Sequence, residues 1–414
     1  MSESVLIVGA GIIGLNCAYH LERAGYAVTL IDQAKVADAC SHANCGYVCP
    51  SHVLPLTVPG SVKMAMKSLF TPNAPFKVKP SLDPALLKWM LQFAKRCNHA
   101  SMIETGHALK VILDASMETY RAMLAEERLD CEWRDDGLMY AFATEAGFEG
   151  FAEEDALLQK HFGVAAQAFD GAELHARDPA LKPDLAGGFW YPGDATVRPD
   201  KLNDALHALL VARGVTSIED CTLTGLKKAG GKVEALETSQ GELSADHVVL
   251  ATGAWSAKWA SAFECALPVQ PGKGYSVTME RPELAPRASM LFPETRVGIT
   301  PMEGRIRFGS MMEFSGYDTT IKPERLALLH EGANPYLVEP INTPVLETWY
   351  GWRPMTYDSL PIIGAAPRLK NVLFATGHNM IGLSLGAATG KLVAELLAGD
   401  TPHIDPAPYA ASRF

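Results

Sequence analysis

The chain has 414 residues, a formal net charge of −11, 48% hydrophobic residues and 20% charged residues. That length supports two or more domains with large cores, and the acidic balance excludes a nucleic-acid surface. No apolar run reaches about eighteen residues, which excludes a membrane-spanning helix, and the eight cysteines are scattered as in a reducing cytoplasm rather than a disulfide framework.

The N-terminal stretch organises the rest. Residues 5–8 (VLIV) form an unbroken apolar run, which predicts a short buried strand. The strand leads into Gly9-Ala10-Gly11-Ile12-Ile13-Gly14, a G-x-G-x-x-G loop. An amphipathic run over 15–24 follows and stops at Gly25. A second strand over 27–31 then delivers Asp32 and Gln33. Gly9 permits a tight turn, Gly11 lets the backbone touch a pyrophosphate, and Gly14 lets helix and strand pack closely. The helix N-terminus offers unpaired N–H groups and partial positive charge to phosphates. Asp32 stands where it can bind ribose hydroxyls. The stretch lacks a basic leader segment, so no signal peptide is expected and the location is read as cytoplasmic.

An irregular stretch over 41–60 comes next and carries Ser41-His42-Ala43-Asn44-Cys45-Gly46-Tyr47. A long polar loop beside a dinucleotide site is expected to be functional. Cys40, Cys45 and Cys49 share it without a C-x-x-C pair, and His42 and His52 do not fit zinc spacing, so no metal is expected. Over 61–79, Lys63, Lys67, Lys77 and Lys79 interleave with Met64, Met66, Leu69, Phe70 and Phe76. Two readings stay open: solvated lysines on a cover of the core, or a surface touching the inner face of the cytoplasmic membrane.

From 84 to 127 the spacing is helical, with a long helix near 112–126. Strands are predicted over 131–134 and 137–143, a helix over 148–162, a strand over 188–191, a helix from Arg198-Pro199 to 213, and a meander over 216–243. The run 246–255 is a second buried strand closing on Ala251-Thr252-Gly253. Antiparallel strands are expected over 267–321, with a helix over 323–334. A third strand over 371–378 again closes on Ala-Thr-Gly, at Gly377. The loop His378-Asn379-Met380-Ile381-Gly382-Leu383 then opens a glycine-spaced helix to 397. Three visits to one sheet predict an α/β fold with a discontinuous Rossmann-like FAD-binding domain (1–82, 165–265 and 340–414). A second, α+β substrate domain on an antiparallel sheet takes 83–164 and 266–339. Two late returns favour FAD over NAD, since a fixed isoalloxazine needs contacts at both edges, and a helix N-terminus there would stabilise reduced flavin.

The motifs then become specific. Residues 8–14, 41–46, Lys273-Gly274-Tyr275-Ser276, 309–318, 376–382 and above all Gly351-Trp352-Arg353-Pro354 with Asp358-Ser359-Leu360-Pro361-Ile362-Ile363-Gly364 resemble the D-amino-acid oxidase/glycine oxidase superfamily. The similarity is closest to bacterial D-amino-acid dehydrogenases. The resemblance implies non-covalent FAD held by Gly9, Gly11, Ile12, Ile13, Gly14, Asp32, Gln33, Ser41, His42, Asn44, Cys45, Gly46 and Thr222. Ala251, Thr252, Gly253, Gly377, His378, Met380, Ile381, Gly382 and Leu383 complete that set. It implies a small amino acid as substrate, including a cyclic one such as D-proline or D-hydroxyproline, and a quinone or other respiratory component as electron acceptor.

The expected reaction moves hydride from Cα to flavin N5, leaving an imine that hydrolyses to a 2-oxo acid or stays cyclic. Arg353 is the candidate for the substrate carboxylate, because a planar guanidinium binds it through two parallel bonds. Tyr275 is expected to add a hydrogen bond to the carboxylate. Tyr317 and His52 are the candidates on the amine side, since a histidine titrates near neutrality. Three alternatives share parts of this pattern: an oxidase or demethylase of a secondary amine such as sarcosine or glycine, a flavin subunit of an electron-transfer complex, and an NAD enzyme.

Overall fold

The computed structural model describes residues 2–69, 71, 74–79 and 83–414. In chain order, β1 (Ser4–Val8) turns into α1 (Ile12–Arg23) and β2 (Ala27–Ile31). The chain then leaves for α2 (Ser61–Leu69), α3 (Pro84–Arg96) and α4 (His99–Glu127). It returns as β3 (His247–Leu250) and builds a second sheet from β4 (Val269–Glu280), β5 (Val297–Met302), β6 (Arg305–Phe314) and β7 (Val345–Thr356). It closes with β8 (Val372–Thr376) and α5 (Gly382–Ala398).

The first sheet has six strands in the order Ile362–Ala365, β8, β3, β1, β2, Thr216–Ile218. All its pairings are parallel except that of Ile362–Ala365 with β8. A parallel sheet must be covered on both faces, which is why β1 and β8 read as continuous apolar runs. The residues Val5 to Val8 and all of β8 are indeed buried. On one face α1 and α5 pack side by side, with α4 against α5. The beginning, middle and end of the chain therefore share one core.

The second sheet runs β7, β4, β6, β5, Met290–Phe292, Leu138–Phe142, Gly187–Tyr191, Gln167–Asp170, with Phe76–Val78 beside β6. Its strands depart from the expected domain limits. β7, Gln167–Asp170, Gly187–Tyr191 and Phe76–Val78 belong to this sheet, although the sequence assigned their segments to the FAD-binding part. Helix α4 departs in the other direction, because its residues Leu109, Ile112 and Leu113 join the core with Ile12, Leu15 and Leu385. The cause is pairing at long range: β7 completes β4 over twelve residues, a ladder that no local pattern announces. The expected limit at 82 lies outside the described residues. Residues 131–134 do not form a strand; Arg134 makes only an isolated bridge to Thr196.

The basic segment 61–79 divides. α2 carries Lys63 and Lys67, whereas Phe76 pairs with Met312 and packs on Phe314, 5.9 Å between ring centroids. Phe70 lies outside the described residues. Among the described residues no helix is long and apolar enough to cross a membrane.

Candidate active site

A cavity of about 1420 Å³ lies between the two sheets. Ligand pockets commonly hold roughly 300–1,000 Å³, so this one suits a dinucleotide together with a substrate. Its floor is the glycine turn after β1. Gly9 sits at φ +104, and a Cβ on Gly14 would lie 1.9 Å from the Gly9 carbonyl oxygen, so neither position accepts a side chain. No side chain caps α1 at Gly11 and no acid occupies its first turn. Ser41 Oγ accepts the Ile12 amide at 2.9 Å and so ties the next loop to this turn. Asp32 accepts the amides of Ala10 at 2.8 Å and Ala34 at 3.0 Å. It borders the cavity, and burial raises its pKa despite those two bonds. Gln33, Thr222, Ala251, Thr252 and Gly253 continue the wall.

The far end of the cavity is closed by α5. Its first turn also lacks a capping side chain and an acid. His378, Met380, Ile381, Gly382 and Leu383 border the cavity. Ser384 Oγ donates to the Tyr47 carbonyl at 2.9 Å and accepts the Cys49 amide at 3.2 Å, joining α5 to the 41–52 loop. Asn379 receives the Thr356 amide at 2.9 Å and gives its own amide to the Pro354 carbonyl at 3.0 Å. The C-terminal loop is thus sewn to the strand that carries Arg353. A glycine cradle with no room for Cβ atoms, two uncapped helix N-termini and a buried acid at one end match the parts of FAD.

The roof of the cavity is the antiparallel sheet. Arg353 on β7 lies flat across β4: a Cβ on Gly274 would sit 2.2 Å from its Nη1. Nη1 donates to the Met311 carbonyl at 2.7 Å. Met311 holds φ +73 beside a register shift between β4 and β6, a costly conformation for a non-glycine residue. Burial lowers the Arg353 pKa, and the groups acting on it are the thiols of Cys40 and Cys45. Among the described residues no carboxylate pairs with Arg353, and it borders the cavity.

The other expected substrate residues are placed differently. Tyr275 borders the cavity, but its hydroxyl is already engaged: it donates to Glu313 at 2.7 Å, and Arg325 pairs with that carboxylate. In this structure that hydroxyl is not directed to a carboxylate held by Arg353. Tyr317 is absent from the cavity wall; its hydroxyl donates to the Ala254 carbonyl at 2.8 Å and its ring stacks on Trp255. His52 does border the cavity, but its Nε2 shares a hydrogen bond of 2.7 Å with the Tyr140 hydroxyl. Burial lowers its pKa to about 4, so it is neutral at physiological pH and a weak base for an ammonium group.

Among the expected flavin contacts, Gly11, Ile12, Ile13, Ser41, Asn44, Cys45 and Gly46 border the cavity, while Gly14, His42 and Gly377 do not. His42 points to Glu347, with Nε2 2.7 Å from its Oε1, and that hydrogen bond raises its pKa. Asn44 spends its side chain inside the loop, accepting the Gly46 amide at 2.9 Å. His378 Nε2 bonds with Thr389 Oγ1 at 3.0 Å, and burial lowers its pKa to about 3. Sequence reasoning missed Arg307, which is fully buried and donates to Thr278 Oγ1 at 2.9 Å and to the Asn44 carbonyl at 3.0 Å. It also missed Asp194, which accepts Ser51 N at 3.0 Å and Ser51 Oγ at 2.5 Å. Both act on the 41–52 loop from far along the chain, and no local signal marks either.

Asp194 gives a pH prediction. Burial raises its pKa to about 7, against roughly 3.9 for a free aspartate. The sign follows from linkage: its contribution is fully present below the unfolded value and is lost as pH rises through about 7. The apoprotein should resist urea better at about pH 6 than at about pH 8, and Asp194→Asn should flatten the difference. Equal midpoints for the parent and variant at both pH values would remove this role.

A dinucleotide cradle shared by both ends of the chain, under a sheet that presents a guanidinium with no acidic partner among the described residues, defines a dinucleotide-dependent oxidoreductase. The match to known proteins is then specific. The chain belongs to the DAO family of FAD dependent oxidoreductases, whose sequence model matches residues 4–396. It is 31% identical to the D-amino acid dehydrogenase of Agrobacterium fabrum over 99% of both chains, and 31% identical to that of Granulibacter bethesdensis at the same coverage. Its fold is similar to glycine oxidase from Geobacillus kaustophilus (TM-score 0.79, 22% identity, all of both chains). It is similar also to L-proline dehydrogenase from P. horikoshii (TM-score 0.77, 19% identity, 100% of this chain and 98% of that one).

Proposed function

We propose that this chain is an FAD-dependent dehydrogenase of D-amino acids. The observation that carries the reading is Arg353, a half-buried guanidinium at the edge of the FAD cavity without an acidic partner among the described residues. A buried cation costs free energy unless an anion meets it, and a carboxylate meets a guanidinium through two parallel hydrogen bonds. Gly274 and the Met311 carbonyl fix the plane of that fork. A carboxylate bound there holds the amino acid's Cα inside the cavity. FAD, when bound, supplies the acceptor for the two electrons that leave the Cα–N unit. The neutral rings of His52 and His378 add no positive charge beside the substrate amine. The preference for D-enantiomers rests on the names of the relatives, and a proline-like substrate finds support in the L-proline dehydrogenase fold.

Anaerobic mixing of the purified holoprotein with D- and L-amino acids, cyclic ones included, tests the reading. Bleaching of the flavin colour by D- but not L-forms is expected; a flavin that no amino acid bleaches would sink it.

The electron acceptor belongs to the same proposal. Part of the cavity wall is apolar, with Val62, Ala65, Trp89, Phe93, Met312 and Phe314 among its residues. A quinone would pack against it. α2 exposes Met66 (59%) beside Lys63 and Lys67, and α3 exposes Leu91 (66%), a composition suited to an anionic lipid surface. Replacing Lys63 and Lys67 by glutamine should weaken co-sedimentation with anionic vesicles, at about 1 kcal/mol per lysine. Unchanged partitioning would end the membrane part of the proposal.

A further inference from the structure

The cavity has a second guanidinium that the reading above leaves unused. Arg296 borders the cavity just before β5. Alternation along β5 gives Gly298 and Thr300 one face, and Arg296 stands in the turn that leads into the strand. The face of Gly298 and Thr300 is the cavity side: a Cβ on Gly298 would lie 2.5 Å from Tyr47 Oη, and Thr300 Oγ1 donates to the Cys45 carbonyl at 2.6 Å. On neighbouring β6, Ser310 Oγ donates to the Arg296 carbonyl at 2.5 Å, and the next residue, Met311, is the one whose carbonyl receives Arg353. Adjacent residues of β6 therefore hold the Arg296 backbone, through its carbonyl, and the Arg353 guanidinium. Both arginines border the same cavity.

Arg296 is also without an acidic partner among the described residues; its side chain touches the Met64 sulfur of α2. Its backbone is left-handed, at φ +60, where glycine or asparagine would sit at lower cost. A long cation is thus kept at a turn that does not favour it, on the wall of a cavity that already binds one carboxylate in our reading.

We infer that Arg296 recognises a second anionic group on the substrate side chain, so that D-amino acids with an acidic side chain are preferred. The α-carboxylate sits on Arg353 and the distal carboxylate on Arg296. This inference rests on the dehydrogenase reading and adds the side-chain class to it. Arg296 stands at the partly solvated mouth of the cavity, so its effect is selection among substrates and it is screened by salt.

The test compares D-glutamate with D-glutamine, and D-aspartate with D-asparagine, on the holoenzyme with an artificial electron-accepting dye. The acid of each pair should have the higher kcat/KM by roughly tenfold or more, as a charge-assisted pair predicts. That ratio should shrink as salt rises. Arg296→Gln should bring the ratio towards one. Arg296→Gly, which relieves the left-handed backbone, should do the same without lowering the melting temperature, which separates recognition from folding. A parent enzyme that favours the amides overturns the inference. So does an Arg296→Gln variant that slows acids and amides equally, or one that alters vesicle binding while the ratio stands. Bleaching by D-glutamine and D-alanine with no advantage for the acids sinks the Arg296 assignment alone. Bleaching by no amino acid sinks the dehydrogenase reading beneath it.

Discussion

Arg353→Ala is expected to remove about 2–5 kcal/mol of transition-state stabilisation, read as the fall in kcat/KM, while the purified protein keeps its FAD. Both halves follow from geometry. The guanidinium contacts the protein through the Met311 carbonyl and lies over Gly274, with no acid among the described residues to share it. The nucleotide cradle of Gly9, Gly11, Asp32 and Ser41 is built on the other sheet and does not depend on it. Arg353→Lys should recover only part of the loss, because a single ammonium cannot form the two parallel bonds. Gly274→Ala is the companion test: its Cβ would enter the guanidinium plane without changing any charge, so it should raise KM for the amino acid and spare flavin binding. Steady-state kinetics beside flavin content from the absorbance spectrum decides the matter. Near-normal turnover in Arg353→Ala would take Arg353 out of the site.

Asp32→Ala should produce the opposite split, with FAD lost and the fold retained. The carboxylate receives two backbone amides of the loops that frame the adenosine end of the cradle. A hydrogen bond from an FAD ribose hydroxyl to this charged acceptor would contribute about 1.5–3 kcal/mol, so losing it should raise the FAD dissociation constant roughly a hundredfold. Asp32→Asn keeps one acceptor oxygen and should fall between. Fluorescence titration of the apoprotein with FAD measures both variants, and full flavin retention through dialysis of Asp32→Ala would contradict the assignment.

The contrast between those two residues shows what was legible in the chain. Gly9 to Asp32 could be read because strand, turn, helix and strand follow one another within some thirty residues, and each local preference agrees with the nucleotide it serves. The late Ala-Thr-Gly turns at 251–253 and 375–377 could be read for the same reason: each ends a buried strand. Arg353 was legible through the residues around it. Its neighbours in space were not. Tyr275 is adjacent in sequence to Gly274, yet its hydroxyl is engaged by Glu313, which pairs with Arg325. His42 sits in the flavin loop, yet its ring belongs to an ion pair with Glu347, 305 residues away. Tyr317 has the right chemistry but spends its hydroxyl on Ala254.

The amino-acid sequence by itself determined the strand, glycine turn, helix and acid that a dinucleotide cradle requires, because an apolar run, a glycine turn and an acid at fixed spacing follow from local backbone preferences alone. Only the tertiary structure decided which polar groups share the cavity with Arg353. That choice depends on the register of β7 against β4 and of β6 against β5, and a slip of one residue would send every side chain to the other face. Partners separated by dozens of residues fix that register, and no window of sequence contains them together.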